Sequence, residues 1–475
     1  MSNVIQERKQ KLRERFDQLA EHRDYWQKKN AFYYADHERY FHFLIPRGEK
    51  VLEIGCGLGD LLASVRPSYG VGVDISQKMV DIARKRHPDL KFHCLDAEEL
   101  ELDEKFDAII ISDTIGNFTD VQLVLEKIKA CCHSKTRIFI SYYNFLWEPV
   151  LKIAERFGYK MPQQDQNWLS SEDITNLLDL AGFNIVKKER RLMLPMKLPI
   201  VSPIFNKFLA HIPGIGKLCL NNYIVARPTS TESGKNNFSV TIVIPARNEK
   251  GHIRDAIKRI PAFGKNQEII FIDGHSTDGT PEEIKCVIAE NPKKNIRFMV
   301  QDGKGKGDAV RKAFAAASGD ILMILDADLT MPPEDLPKFY DAISQDKGDF
   351  INGCRLIYPM EDQAMRFLNL LGNKFFAMMF SWLLNQRIKD TLCGTKVLFK
   401  EDYERIVEMR AYFGDFDPFG DFDLLFGASK INLKIVEMPI RYRERVYGET
   451  NISRFSHGWL LLKMTVFAFF KLKAI

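Results

Sequence analysis

Two α/β domains in tandem are the architecture that this chain predicts, and three observations lead there. The first is size: 475 residues suit two or three domains, and 45% hydrophobic residues suffice for globular cores. The second is Asp320-Ile321-Leu322-Met323-Ile324-Leu325, a continuous apolar run of the kind found in sheets covered on both faces; it ends in Asp326-Ala327-Asp328-Leu329-Thr330. The third lies in the first half, where the apolar strand Lys50-Val51-Leu52-Glu53-Ile54 enters the glycine-rich turn Gly55-Cys56-Gly57-Leu58-Gly59-Asp60. Both strands stop at the carboxyl edge of a sheet, where open α/β folds bind ligands.

In the second half, two carboxylates one residue apart form a hard-oxygen site suited to Mg²⁺ or Mn²⁺, which bind through few protein oxygens plus substrate phosphates. Asp-x-Asp also occurs in solvated turns, so its neighbours decide. Val240-Thr241-Ile242-Val243-Ile244 is a buried strand that breaks at Pro245 into Ala246-Arg247-Asn248-Glu249. Glu268 to Ile272 is another, opening onto the turn-forming Asp273-Gly274-His275-Ser276-Thr277-Asp278-Gly279-Thr280. Gly303-Lys304-Gly305-Lys306-Gly307 follows as a basic loop running into a helix. Loop, helix and acidic strand in that order read as a nucleotide-diphosphate site.

With Gly353-Cys354-Arg355, Asp390-Thr391-Leu392-Cys393-Gly394-Thr395-Lys396 and Arg445-Val446-Tyr447-Gly448-Glu449-Thr450-Asn451 added, residues 238–475 resemble a family 2 glycosyltransferase of the GT-A fold. Within that family they are similar to the polyprenyl-phosphate hexosyltransferases, the dolichyl-phosphate-mannose-synthase type. The resemblance implies a UDP- or GDP-linked sugar held by Pro245, Ala246, Asn248, Glu249, Asp273, Lys306, Asp326, Ala327, Asp328 and Arg445. It implies a polyprenyl phosphate acceptor and inversion at the anomeric carbon. Two departures stand out. The family's Asp-Asp-Gly-Ser reads Asp273-Gly274-His275-Ser276 here, and its Gly-Glu-Ser-Lys reads Gly448-Glu449-Thr450-Asn451, which removes one cation.

Charge argues the mechanism. Breaking the anomeric bond leaves negative charge on a diphosphate, which a cation on Asp326 and Asp328, with Thr330 as a third contact, neutralises. Arg355, Lys396, Arg441, Arg443, Arg445 and Arg454 can bind phosphates, with Arg355 and Arg445 favoured. The Arg441-Tyr442-Arg443-Glu444-Arg445 alternation also fits an exposed strand face. A hydroxyl acceptor, in a polysaccharide or glycolipid, needs a general base, for which Asp390 or Asp421 is the candidate. A phosphate acceptor needs none.

The first half carries its own signals. About twenty residues beyond the glycine turn, Val71-Gly72-Val73-Asp74-Ile75-Ser76 ends a strand in an acid, the spacing at which a carboxylate grips a ribose diol. Two more strand ends follow, Leu95-Asp96-Ala97-Glu98 and the run Phe106 to Ser112 ending at Asp113. The set resembles a class I S-adenosylmethionine-dependent methyltransferase, a seven-stranded Rossmann-like fold, over residues 30–228. The resemblance implies that Glu53, Gly55, Cys56, Gly57 and Gly59 wrap the methionine part and that Asp74 and Ile75 meet the ribose. Asp96 and Ala97 would meet the adenine, and Ser112 and Asp113, on toward Asn117, would border the transferred methyl. A non-catalytic cofactor sensor or scaffold is the alternative for this half.

The domains are expected at 1–228 and 238–475, joined by a polar linker at 229–237. A net charge of +5 is too mild to argue for nucleic acid. No secretory signal is read in the charged, helix-like start, and eight scattered cysteines suit reduced cytosolic thiols. No stretch offers about twenty apolar residues, so no spanning helix is predicted. Three segments are nonetheless unusually apolar: Pro195 to Lys217, a helix from Met365 to Leu384 with Arg366, Asn369 and Asn373 along one face, and a C-terminal helix from Trp459 to Phe470. Each suits core packing or the contact of a homo-oligomer; together they favour the bilayer interface, on the inner face of the cytoplasmic membrane.

Overall fold

The computed structural model describes residues 2–163, 166–229, 237–358, 367–413, 420–443, 447 and 454–475. They form two compact units, Met1–Ser230 with Lys473–Ile475, and Thr231–Leu472.

Unit 1 is built on β1 (Lys50–Ile54), β2 (Tyr69–Asp74), β3 (Lys91–Cys94), β4 (Phe106–Ser112), β5 (Cys132–Tyr143), β6 (Phe183–Arg191) and β7 (Asn221–Pro228). Their order in the sheet is β3-β2-β1-β4-β5-β7-β6. The first five run parallel, and β7 lies antiparallel between β5 and β6. Strands buried on both faces need apolar side chains on both, and Leu52, Ile54, Val71, Val73, Ile109, Ile111, Ile138 and Ile140 supply one continuous core. Side-chain caps start the connecting helices: Ser76 Oγ accepts from Met79 N, Asp120 from Leu123 N, and Ser170 and Asp173 form a reciprocal capping box. Three helices precede β1: Ser2–Ala20, Arg23–Lys29 and Ala31–Leu44. The order reverses between β1 and β4, which opens a crevice at their carboxyl ends.

Unit 2 contains β8 (Val240–Ala246), β9 (Gln267–Asp273), β10 (Asn295–Val300), β11 (Ile321–Ile324), β12 (Phe350–Cys354), β13 (Lys396–Phe399) and β14 (Ile435–Pro439), ordered β10-β9-β8-β11-β13-β12-β14. The half from β10 to β11 is parallel; β13 inserts antiparallel between β11 and β12, and β14 pairs parallel with β12. Here the switch point falls between β8 and β11, which places Ala246 and Asp326 at one sheet edge. The core joins Ile242, Ile244, Phe271, Met323, Leu325 and Val397 to Phe339 and Ile343 of the helix Leu336–Ser344.

No helix among the described residues is long and apolar enough to cross a membrane. Of the cysteines, all free, six are buried, Cys94 is half-buried and Cys286 is exposed, so Cys286 departs from the otherwise inward pattern. The C-terminal helix begins earlier than the sequence suggests, at Arg454, and ends at Leu472. Arg366 lies outside the described residues, as do Glu444, Arg445, Val446, the Gly448 to Asn451 motif and the side chains of Asn369 and Arg454.

Candidate active sites

In unit 1, Gly55, Gly57 and Gly59 all hold positive φ (73°, 53° and 77°), a left-handed backbone that side chains disfavour. Their roles differ. A Cβ on Gly59 would meet the Phe92 ring at 2.6 Å, so that glycine serves packing. A Cβ on Gly57 would meet nothing within 4 Å, so its backbone borders open space. That space is a cavity of about 1040 Å³, lined by Gly55, Gly57, Asp74, Ile75, Asp96, Ala97, Ser112 and Asp113 from the expected set. Glu53, Cys56 and Gly59 do not line it. Instead Glu53 is buried in β1, where burial pushes its carboxyl well above the usual range, and burial likewise raises the Cys56 thiol.

Asp74 holds the turn together. One carboxylate oxygen accepts from Gly57 N at 2.8 Å and the other from Ser76 N at 2.9 Å. Burial raises its pKa, while those two N–H bonds favour the charged form. Asp96 accepts from Glu98 N at 2.9 Å and pairs with Lys9 at 2.7 Å; the same ammonium reaches Glu98 at 2.8 Å. Asp113 holds φ = 52°, accepts a hydrogen bond from the Tyr33 hydroxyl on one oxygen and from Ser141 Oγ at 3.3 Å on the other. His37 bridges Tyr223 (2.8 Å) and Ser112 (2.7 Å), and burial lowers its pKa. Lys9, Arg23, Tyr33 and His37 come from the N-terminal helices and were not among the sequence-derived residues. For Tyr33 and His37 the local signal is the aromatic cluster Phe32-Tyr33-Tyr34-Ala35-Asp36-His37; Lys9 and Arg23 carry none.

In unit 2, Asp326 lies just beyond the end of β11 with its side chain 31% exposed, and its carboxylate meets the Lys306 ammonium at 2.5 Å. Burial works against charge on Lys306, yet Asp326 and Asp421 outweigh it and hold the ammonium above its ordinary pKa. Burial would likewise raise Asp326, but Lys306, Lys396 and Arg355 hold it below its ordinary value. Asp328 accepts from Thr330 N (3.2 Å) and Thr330 Oγ1 (2.9 Å). Lys306 reaches this place because its helix, Lys306–Ala316, starts beside Gly420 (φ = 75°), whose missing Cβ would lie 2.6 Å from Gly307 Cα.

Gly394 closes the site from the other side. A Cβ there would land on the Asp326 carboxylate and the Lys306 ammonium. Gly394→Ala is therefore expected to lower any reaction at this pair about a hundredfold, the usual effect of an ångström-scale displacement. A rate assay beside a thermal melt separates that from unfolding.

Beyond the pair, Asp390 is fully buried and engaged on both oxygens. Arg355 Nε donates at 2.7 Å and an Arg355 terminal nitrogen at 2.8 Å, while Arg355 N and Leu392 N add bonds at 3.0 and 3.1 Å. The Arg355 guanidinium lies 5.2 Å from the Tyr442 ring centre. Lys396, also fully buried, pairs with Asp421 at 3.3 Å and donates to Asn352 at 3.0 Å. Neither candidate base therefore presents a free carboxylate. Arg441 and Arg443 are exposed, and Arg443 N donates to Thr330 O at 2.9 Å.

At the β8 and β9 ends, Asn248 (φ = 57°) accepts from Thr277 N at 2.8 Å and its own N donates to Ser276 Oγ at 2.9 Å, which clamps the two loops. Glu249 N donates to Thr280 Oγ1 at 3.0 Å. Asp273 is buried; Oδ2 accepts from Ser276 N at 3.1 Å, and Oδ1 has no partner among the described residues. An unpaired buried acceptor is costly unless a ligand donor meets it. Pro245 and Ala246 end β8, and Ala246 O accepts from Gly274 N at 2.8 Å.

Comparison with known proteins agrees with both units. The glycosyl transferase family 2 model matches residues 241–407, and a methyltransferase domain model matches residues 25–188. A dolichol-phosphate mannosyltransferase of Pyrococcus furiosus is 31% identical over 222 residues, 45% of this chain and 59% of its own length. A dolichyl-phosphate hexose transferase of Haloferax volcanii is 30% identical over 228 residues, 48% of this chain and 92% of its own. The chain thus spans less than two thirds of the first relative and nearly all of the second. Among solved structures, a methyltransferase of Thermotoga maritima is 22% identical and covers 45% of this chain and 97% of its own, with a TM-score of 0.37. That score is too low to add to the strand order. The chain belongs to glycosyl transferase family 2, and it carries an S-adenosylmethionine-dependent methyltransferase domain in its first half.

Proposed function

We propose that the chain is a bifunctional enzyme whose second unit transfers a hexose from a UDP- or GDP-linked sugar to a polyprenyl phosphate, with inversion. The observation that carries this reading is the Asp326–Lys306 pair at the switch point of the sheet, where a carboxylate already faces a positive charge. The ammonium is a stand-in for a cation, and the hard oxygens of Asp326 and Asp328 suit Mg²⁺ or Mn²⁺. Bound there, the metal would neutralise the charge that a departing nucleoside diphosphate acquires. The chain's own residues do the rest. Asp273, with one oxygen unpaired, offers an acceptor to the nucleoside, and Lys306 remains beside the phosphates. Arg445 stays part of the proposal on sequence grounds.

A phosphate acceptor is an anion that attacks without losing a proton, so no base is required. The locking of Asp390 by Arg355 and the pairing of Asp421 with Lys396 favour this over a hydroxyl acceptor. Leu371, Phe375 and Met378 are exposed on the helix Phe367–Leu384, while its Asn373 turns inward; Trp459, Leu462, Val466 and Phe470 are exposed on Arg454–Leu472. Such faces support peripheral attachment where lipid acceptors reside, on the inner face of the cytoplasmic membrane. Labelled nucleotide sugars and undecaprenyl phosphate test the assignment: transfer only to soluble hydroxyl acceptors overturns it.

For unit 1, S-adenosylmethionine fits the cavity under Gly57, with Asp74 toward the ribose and Asp96 toward the adenine. Asp74→Asn is expected to weaken binding about ten- to a hundredfold, the value of a charged hydrogen bond. Calorimetry on the full chain checks it, and recovery of a methylated product separates catalysis from mere sensing.

A further inference from the structure

Ordinary packing turns apolar side chains inward and polar ones outward, and the connection between β6 and β7 does the reverse. Ser202 and His211 are buried there, while Met196, Ile200, Ile204, Phe205, Phe208 and Leu218 are exposed, Ile200 at 76% and Leu218 at 57%. The inward polar groups fix the shape. Asn206 donates to Leu194 O at 2.9 Å and accepts from Leu194 N at 2.8 Å; Ser202 Oγ accepts from Leu198 N at 2.9 Å and donates to Met196 O at 2.5 Å. The outward apolar face is thus held by its own backbone.

A second segment extends it. Asn144 Nδ2 donates to Lys217 O at 2.8 Å and Cys219 O at 2.9 Å, and Trp147 Nε1 to Leu218 O at 2.9 Å. Next to these ties Phe145, Leu146, Val150, Ile153 and Phe157 are exposed, Phe157 at 71%. Both segments reach the unit 1 cavity: Val150, Tyr159, Met196 and Lys197 are exposed and also line it. Contiguous apolar exposure at a cavity mouth marks an interaction surface.

Charge selects the occupant. From 193 to 220 the chain has no Asp or Glu, and Lys197, Lys207 and Lys217 are all exposed. Apolar side chains ringed by cations match a bilayer with anionic headgroups, where the side chains enter the acyl boundary and the ammonium groups meet phosphates.

We propose that this face docks on an anionic lipid bilayer and that the methyl acceptor is an amphiphile drawn from it. Its polar head enters past Tyr159 and Lys197 toward Asp113 while its chain stays in lipid. The inference rests on the reading of unit 1 as a methyl-transfer site. In the transfer, an acceptor O–H or N–H forms the new bond to the methyl carbon as the carbon–sulfur bond of the substrate S-adenosylmethionine breaks. The sulfur keeps that electron pair, and the acceptor proton passes to Asp113 and on to water.

The test uses the full chain and vesicles of phosphatidylglycerol with phosphatidylcholine, or phosphatidylcholine alone. Amide exchange over residues 196–218 is expected to slow about tenfold or more on the anionic vesicles alone, as insertion removes these amides from water. K197Q/K207Q/K217Q is expected to lower vesicle partition about a hundredfold, at about 1 kcal/mol per surface cation. Unchanged exchange at 196–218 on vesicles that bind the chain, or a triple variant that partitions like the wild type, overturns the docking. With methyl-labelled S-adenosylmethionine and a membrane lipid extract, label is expected in the organic phase and is expected to fall in F205D/F208D, whose S-adenosylmethionine binding is intact. Label only in water-soluble products overturns this proposal alone. A chain that binds no S-adenosylmethionine overturns both it and the reading beneath it.

Discussion

Asp326→Ala is expected to lower hexose transfer by at least about a thousandfold, the effect of withdrawing roughly 4 kcal/mol of charge stabilisation from a transition state. Negative charge develops on the diphosphate only as the anomeric bond breaks, so a cation held by Asp326 and Asp328 would act on the transition state more than on the ground state. Lys306 cannot substitute, because a single ammonium supplies one charge and loses its positioning partner when Asp326 goes. Release of nucleoside diphosphate from a labelled donor is the measurement. Chelator is expected to reproduce the loss and added Mg²⁺ or Mn²⁺ to reverse it. Undiminished transfer in chelator would remove the metal from the reaction.

Asp390→Ala is expected to act on stability instead, destabilising unit 2 by about 3–5 kcal/mol, because it strands a buried guanidinium. The pair is close to ideal: two side-chain bonds at 2.7 and 2.8 Å to a fully buried carboxylate. Burial alone would raise the Asp390 pKa, but Arg355 holds it below the ordinary value. A carboxyl depressed in the folded state stabilises fully above its unfolded pKa, and that share is lost as pH falls through the lower folded value. Wild-type denaturation midpoints should therefore drop on acidification below the usual carboxylate range, and the variant's should drop less. A base role predicts the opposite pattern, lost rate at unchanged stability. Replacing both partners by apolar residues, as in R355M/D390L, should recover much of the stability.

Several parts of this molecule are legible without coordinates. The β1 and β11 runs announce themselves because strands buried on both faces admit few polar residues, and their ends mark the ligand edge. Gly57 and Asp74 were both legible as strand-end residues, but the 2.8 Å bond that joins them across seventeen residues needs the fold. Gly394 was legible only as part of a motif; that it must lack a side chain because Asp326 and Lys306 lie under it needs the fold.

Other parts resist the sequence for identifiable reasons. Burial on both faces looks the same for either strand direction, so β13 could not be read as antiparallel between β11 and β12. Asp390 read as a candidate base because its partner Arg355 lies 35 residues away. Lys9 sits on a helix whose polar pattern suits plain solvent exposure and Tyr33 in an aromatic run that suits core packing, and only the fold brings them to Asp96 and Asp113.

The sequence by itself determined that two α/β units follow one another and which hard oxygens and glycines stand at the carboxyl edges of their sheets. Local backbone preferences and apolar runs suffice for that. Tertiary structure alone decided which charges meet: Lys306 with Asp326, Arg355 with Asp390, Lys396 with Asp421. It also decided that the apolar stretch before β7 faces outward. Ion pairing and burial depend on distances through space, which residues far apart in the chain acquire only when the sheets close.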